Sequence, residues 1–196
     1  MSQLGPDARE LSQLMALRLG LACPDLPWHN QRDGMAEFAS WLSLVSGSLG
    51  KVGADIALMC QSEIAELHLA NAGGSSSMPQ KNNPVSAEIL QALARFNAGN
   101  LANMHNALPH QMERDGAAWT LEWLSLPQMA AATGRGMMMM RELLADLQVD
   151  ELRMRANLDA AQGLPLAEAA TFALCAHMPR AEASDLVRTA CRDALA

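Results

Sequence analysis

The residues with the most chemistry in this chain are contiguous: Gly74-Ser75-Ser76-Ser77-Met78-Pro79-Gln80-Lys81-Asn82-Asn83-Pro84. Paired glycines (Gly73, Gly74) let backbone approach a ligand closely, and successive N–H groups can then converge on an anion. Lys81 is one of two lysines in the chain, and it precedes the expected helix start at Asn83-Pro84. A cation beside a helix N-terminus suits a carboxylate or a phosphate. The serines offer a nucleophile or a proton-transfer group. The same residues also read as a Gly/Ser linker followed by an Asn-Pro helix cap, and residue types alone leave both readings open. The order GxxxxGK[ST] is missing, which excludes a Walker A loop.

Elements must position that string. Residues 6–21 predict a helix opened by Pro6 and ended by Gly20. A connector with two prolines follows, and Asp33 is the expected N-cap of a long helix. Its apolar positions Met35, Phe38, Leu42, Val45, Leu49, Val52, Ile56 and Met59 keep three- and four-residue spacing, and the pattern fades near Asn71. Gly47, Gly50 and Gly53 are expected to let neighbouring helices approach. Further helices are expected over 83–105 and 116–147, the latter ending in four methionines, Met137–Met140, read as deformable packing. Beyond Val149 the pieces shorten around Gly163, Pro165 and Pro179. The expected fold is all-α, without strand alternation: a partial helical-bundle domain over 1–148 and a small C-terminal helical domain over 149–196.

Composition bounds the remaining choices. The chain has 196 residues, half of them hydrophobic, which is too apolar for disorder. A net charge of −7 disfavours nucleic acid. No uninterrupted 18-residue apolar run and no basic-then-apolar leader are present, so neither a membrane span nor secretion is expected. Cys23, Cys60, Cys175 and Cys191 form no CxxC and read as buried thiols of a cytoplasmic protein. His68, His105, His110 and His177 lack metal-ligand spacing, so no metal is expected. Between Leu67 and Met112 the only acid is Glu88, against Lys81 and Arg95. That acid-poor stretch is either chance or room for an anionic substrate.

The complete string resembles the signature loop of the fumarase/aspartase superfamily, G-S-S-x-M-P-x-K-x-N-P. All eight fixed positions are matched, at Gly74, Ser75, Ser76, Met78, Pro79, Lys81, Asn83 and Pro84. The resemblance implies β-elimination from, or addition to, a carboxylate-bearing carbon skeleton on a shared helical core, in homotetramers. It makes Ser75 the catalytic proton-transfer group next to a substrate carboxylate, activated by loop closure that excludes water and aims N–H dipoles at the alkoxide. Lys81 and Asn83 then hold the carboxylate and its enediolate-like form, and Ser76 helps to bind substrate.

Flanking segments narrow the resemblance. Pro27-Trp28-His29-Asn30-Gln31-Arg32-Asp33 is similar to the P-W-H-x-Q-R-D segment of bacterial 3-carboxy-cis,cis-muconate cycloisomerases, and Glu113-Arg114 through Trp119, Glu122 and Trp123 fits their E-R-x-x-x-x-W-x-x-E-W. Adenylosuccinate lyases place a substrate-binding glutamine where Trp28 stands. They carry a phosphate-holding serine and arginine at the positions of Trp119 and Trp123. An indole cannot replace a guanidinium at a phosphate. Arg153–Leu158 and Leu166–Ala169 extend the similarity, which runs from about Leu4 to the last residue. The implied reaction is cofactor-free lactonisation of 3-carboxymuconate to 4-carboxymuconolactone, in protocatechuate breakdown.

A polycarboxylate needs cations, and Arg114 is the second candidate beside Lys81. His29, Arg32 and Trp119 are candidate pocket residues, with Arg32 also readable as an ion-pair partner of a cap aspartate and Trp119 as core. Superfamily active sites combine three regions from different subunits, and only the third is recognised here. The chain is therefore expected to be the C-terminal portion of a longer enzyme, inactive alone and competent with a separate N-terminal half. The alternatives are another superfamily lyase, of the adenylosuccinate type, or a non-catalytic helical oligomerisation remnant.

Overall fold

A computed structural model describes residues 5–26, 28–69, 73–74 and 82–195. Helix α1 (Ala8–Leu19) is closed by Gly20 at φ 67°, with the Gly20 and Leu21 N–H groups donating to the Leu17 and Ala16 carbonyls at 3.2 and 2.9 Å. Only a residue without a side chain takes that left-handed position freely. The remaining elements are α2 (Asp33–Met59), β1 (Leu67–Leu69), β2 (Gly73–Gly74), β3 (Asn82–Asn83), α3 (Val85–Asn106), α4 (Gly116–Asp146) and β4 (Leu147–Val149), then α5 (Glu151–Ala160), α6 (Ala167–Leu174) and α7 (Arg180–Leu195). The all-α expectation holds.

Two short antiparallel ladders depart from it. β1 pairs with β4, Leu67 facing Val149 and Leu69 facing Leu147, and β2 pairs with β3, Gly73 facing Asn83. Elements of two or three residues are too short for alternation to register in sequence. The chain divides into two compact units: Met1–Ser48 with Ala92–Met137, and Leu49–Gln91 with Met138–Ala196.

In the first unit, Ala39 and Leu42 of α2, Met104 of α3 and Met129 of α4 form a core, with Met35, Leu101 and Leu126 packed on it. Each such large side chain, once buried, contributes about 1.5–3 kcal/mol. A polar knot sits among the same helices. The Asn97 amide donates to Ser46 Oγ (3.1 Å), Thr133 Oγ1 (2.8 Å) and the Met129 carbonyl (3.3 Å). Ser46 and Thr133 in turn donate to the Leu42 carbonyl. A buried network of this kind fixes one register among three helices.

Helix α2 is longer on the apolar side than run-counting indicates. Its most apolar 18 residues have a mean hydropathy of 1.3, so by length and composition it could cross a membrane. Ser46 at its middle is nonetheless buried in the polar knot, and Lys51 pairs with Asp55 one turn on. Among the methionines of α4, Met139 and Met140 are buried while Met137 and Met138 are half exposed. The four cysteines are free and half-buried rather than fully buried, and burial pushes the Cys60 thiol up.

In the second unit, Gly53 of α2 is needed as glycine. A Cβ on Gly53 would lie 2.6 Å from the Ala87 carbonyl oxygen and 3.1 Å from Leu90 Cβ of α3. At Gly47 a Cβ would meet nothing within 4 Å. Gly53→Ala is expected to lose about 1–3 kcal/mol by overpacking against backbone, while Gly47→Ala gains about 0.5–1 kcal/mol from helix propensity. Urea denaturation of the two variants checks this. Equal shifts of the same sign would remove the close approach.

Candidate active site

The string 74–84 enters and leaves through described backbone. Ser75, Ser76 and Lys81, the sequence-predicted proton-transfer and substrate-binding residues, lie outside the described residues. Asn83 is described: it is half-buried and stands in β3 opposite Gly73. It does not cap α3, as the sequence reading had it. The Pro84 carbonyl accepts from Glu88 N at 3.0 Å, so Pro84 holds the cap position and α3 starts at Val85. A residue preceding proline is pushed into extended backbone, which suits Asn83 to a strand.

In the first unit, the connector before α2 lies on the start of α4 and brings His29, Arg32 and Trp119 together. Trp119 Nε1 donates to the His29 carbonyl at 3.3 Å, and Asn30 Nδ2 donates to the Met112 carbonyl at 3.1 Å. The Trp119 ring lies 6.3 Å from His29, 6.3 Å from His110 and 5.9 Å from Trp123. Trp28 stacks on His29 at 5.8 Å, and the Arg32 guanidinium lies 5.7 Å from the Trp28 ring centre. Trp119 thus packs among His29, His110 and Trp123, the first of the two roles weighed for it.

Arg32 is an ion-pair residue here, and its partner is on α4 rather than its neighbouring aspartate. Its Nε donates to Glu122 Oε2 at 2.9 Å and its Nη2 donates to Oε1, a bidentate fork with both side chains buried. Glu122 is the residue that sequence reasoning left without a role. Its signal was the E-W pair of the α4 motif. Both ring nitrogens of His110 are buried without a hydrogen-bond partner among the described residues.

Arg114 is exposed, two residues before α4. Beside it Asp115 organises the helix start: Oδ1 accepts from Ala117 N and Ala118 N at 2.9 and 3.0 Å, and Oδ2 accepts from Gln111 N at 3.1 Å. The Ala118 N–H, then those of Gln111 and Ala117, hold this carboxyl below the usual carboxylate range, with His110 pulling the same way. A carboxyl held down in the folded state stabilises fully above its unfolded value, about pH 4, and that stabilisation disappears as pH falls through the lower folded value. Asp115→Ala is therefore expected to lower the melting temperature at neutral pH and to converge with the unmutated chain in acid. A gap that persists at the acid end would sink the assignment.

Comparison with known proteins agrees with these segments. The family model described as Lyase matches residues 6–96. A 3-carboxy-cis,cis-muconate cycloisomerase of Pseudomonas aeruginosa is 42% identical over 198 residues, covering 100% of this chain and 43% of that protein. The crystal structure of the 3-carboxy-cis,cis-muconate lactonizing enzyme from Pseudomonas putida aligns at a TM-score of 0.82 and 40% identity, over 97% of this chain and 43% of that one. The chain is similar to cycloisomerases over its whole length and to the Lyase family over residues 6–96. A fumarate lyase from Mesorhizobium sp. BNC1 aligns at a TM-score of 0.84 and 36% identity, over 99% and 43% of the two chains. The chain spans less than half the length of the relatives it matches. Its signature string falls inside the region of the family model. Arg114, Trp119 and Glu122 lie beyond that region, within the span shared with the cycloisomerases.

Proposed function

We propose that the chain carries the signature-loop portion of a cycloisomerase that lactonises 3-carboxy-cis,cis-muconate to 4-carboxymuconolactone, in the protocatechuate branch of aromatic catabolism. The observation that carries this reading is the end-to-end similarity to cycloisomerases at 42% identity. The indoles in the α4 segment support it, because Trp119 donates to a backbone carbonyl where a nucleotide-using relative needs a phosphate ligand.

In this reading one substrate carboxylate oxygen forms the new C–O bond at the double bond. The displaced electron pair moves onto the carbon beside another carboxylate, giving an enediolate-like form. Ser75 delivers the proton to that carbon. Lys81 and Asn83 hold the carboxylate while its charge spreads, Ser76 helps to bind substrate, and Arg114 is a second cation suited to a polycarboxylate. The chemistry uses no metal or organic cofactor. The protein works in the cytoplasm as a homotetramer, together with the regions its longer relatives possess. Half-exposed Phe38, Trp41 and Leu44 along α2 favour such an assembly over an isolated chain.

The test is turnover of 3-carboxymuconate, followed by its absorbance, with this chain alone and mixed with the part of a cycloisomerase that the chain does not match. Turnover on mixing is expected. A stable oligomer without turnover in any mixture would leave an oligomerisation remnant. Cleavage of adenylosuccinate instead would move the chain to the other lyase type.

A further inference from the structure

The geometry points to Arg153 and Asn157 of α5 as positioning residues for the signature string, which they serve by clamping the turn that leads into β1. Helix α2 stops at Met59, and the chain reverses through residues 60–66 with Ala65 at φ 53°. That left-handed conformation is costly for a residue bearing a side chain. Inside the turn, Ala65 N donates to the Gln61 carbonyl at 2.7 Å and Glu66 N to the Met59 carbonyl at 3.0 Å. The carbonyls of Glu63 and Ile64 are satisfied from outside it.

Arg153 takes both: Nη2 donates to the Glu63 carbonyl at 2.8 Å and Nε to the Ile64 carbonyl at 2.9 Å. Asn157, one turn along α5, donates to the Ile64 carbonyl and to Glu66 Oε1, each at 2.9 Å. Asp150 locks the same junction, its N–H donating to the Glu66 carbonyl at 2.9 Å and its carboxylate accepting from Arg153 N at 2.8 Å. The clamp thus sets where Leu67 begins to pair with Val149. β1 is the last described element before the chain reaches β2 and the signature string.

A guanidinium fork matches two adjacent carbonyls, which a lysine ammonium cannot do from one position. The Arg153 side chain is solvent-exposed, so its bonds add little to global stability and act mainly on local opening. This role rests on the reading of the string as the catalytic loop, but the clamp can be tested apart from catalysis.

Amide hydrogen exchange on the whole chain compares the unmutated protein with R153A, R153K and N157A. Exchange across 64–69 and 147–150 is expected to accelerate on the order of tenfold in R153A and N157A, less in R153K, with α7 unchanged. Unaltered exchange at 64–69, or acceleration that spreads through α7, overturns the clamp. The same variants are assayed for 3-carboxymuconate turnover in the mixed assembly. A kcat loss in R153A, partly restored in R153K at unchanged melting temperature, is expected. Unmutated kcat and KM in R153A overturn the positioning role. If no chain turns over, the functional reading fails and hydrogen exchange still decides the clamp.

Discussion

Glu122→Gln is expected to destabilise the chain by about 3–5 kcal/mol, because it leaves the Arg32 guanidinium buried without its counter-charge. The Arg32 side chain is 9% exposed and that of Glu122 4%, so water cannot take over either role. Glutamine preserves volume, yet it offers one acceptor where the fork uses two, and its amide hydrogens face guanidinium hydrogens. For a chain of this size the loss corresponds to a fall of roughly 6–20 °C in melting temperature. Replacing both partners together, Arg32→Met with Glu122→Leu, removes both desolvation penalties and is expected to recover most of that loss. Thermal melts of the three variants decide the matter. A fall of under about 2 °C in Glu122→Gln would mean that the pair is solvated and contributes as an exposed ion pair does. The indoles report the local consequence. With the fork broken, the hydrogen bonds left to the Trp28–Arg32 connector among the described residues are Trp119–His29 from α4 and Asn30–Met112 to the turn before it, and tryptophan emission is expected to shift to the red.

The same pair marks how far the sequence reaches. Periodicity located the start of α2 at Asp33 but carried its pattern to near Asn71, past the end at Met59, whereas Gly20 announced the end of α1, a local effect of backbone freedom. The resemblance carried by the signature string was also legible, since eight fixed residue types in eleven positions carry their own specificity. Partnership across distance was not. Arg32 stands next to Asp33 in sequence, but its buried partner is ninety residues away on α4. The β1–β4 pairing joins segments about eighty residues apart with only three residues each. Asn83 is a further case: Asn-Pro is a good cap signal, and the restriction that proline puts on its predecessor carried Asn83 into a strand instead. Local chemistry can be read from residue order, whereas a contact whose two halves are far apart in sequence leaves no spacing to read.

Ser75→Ala is expected to lower kcat in the mixed assembly by about 10²–10⁴-fold, the usual range for loss of a positioned proton-transfer group. That range equals roughly 3–5.5 kcal/mol of barrier. In the proposed reaction Lys81, Asn83 and Ser76 meet the carboxylate in ground and transition states alike, so their loss is expected to raise KM as well as lower kcat. Ser75 acts only when the carbon beside the carboxylate takes its proton, so its removal leaves KM within a few-fold of the unmutated value. Stability is read separately by a thermal melt of each variant, since a substitution away from a core shifts folding by about 0.5 kcal/mol or less. Steady-state kinetics of Ser75→Ala beside Lys81→Met therefore discriminates two roles within one string: a kcat effect for the first and a KM effect for the second. Turnover within tenfold of the unmutated assembly in Ser75→Ala would remove Ser75 as the proton donor. The proton would then have to come from a residue outside this string.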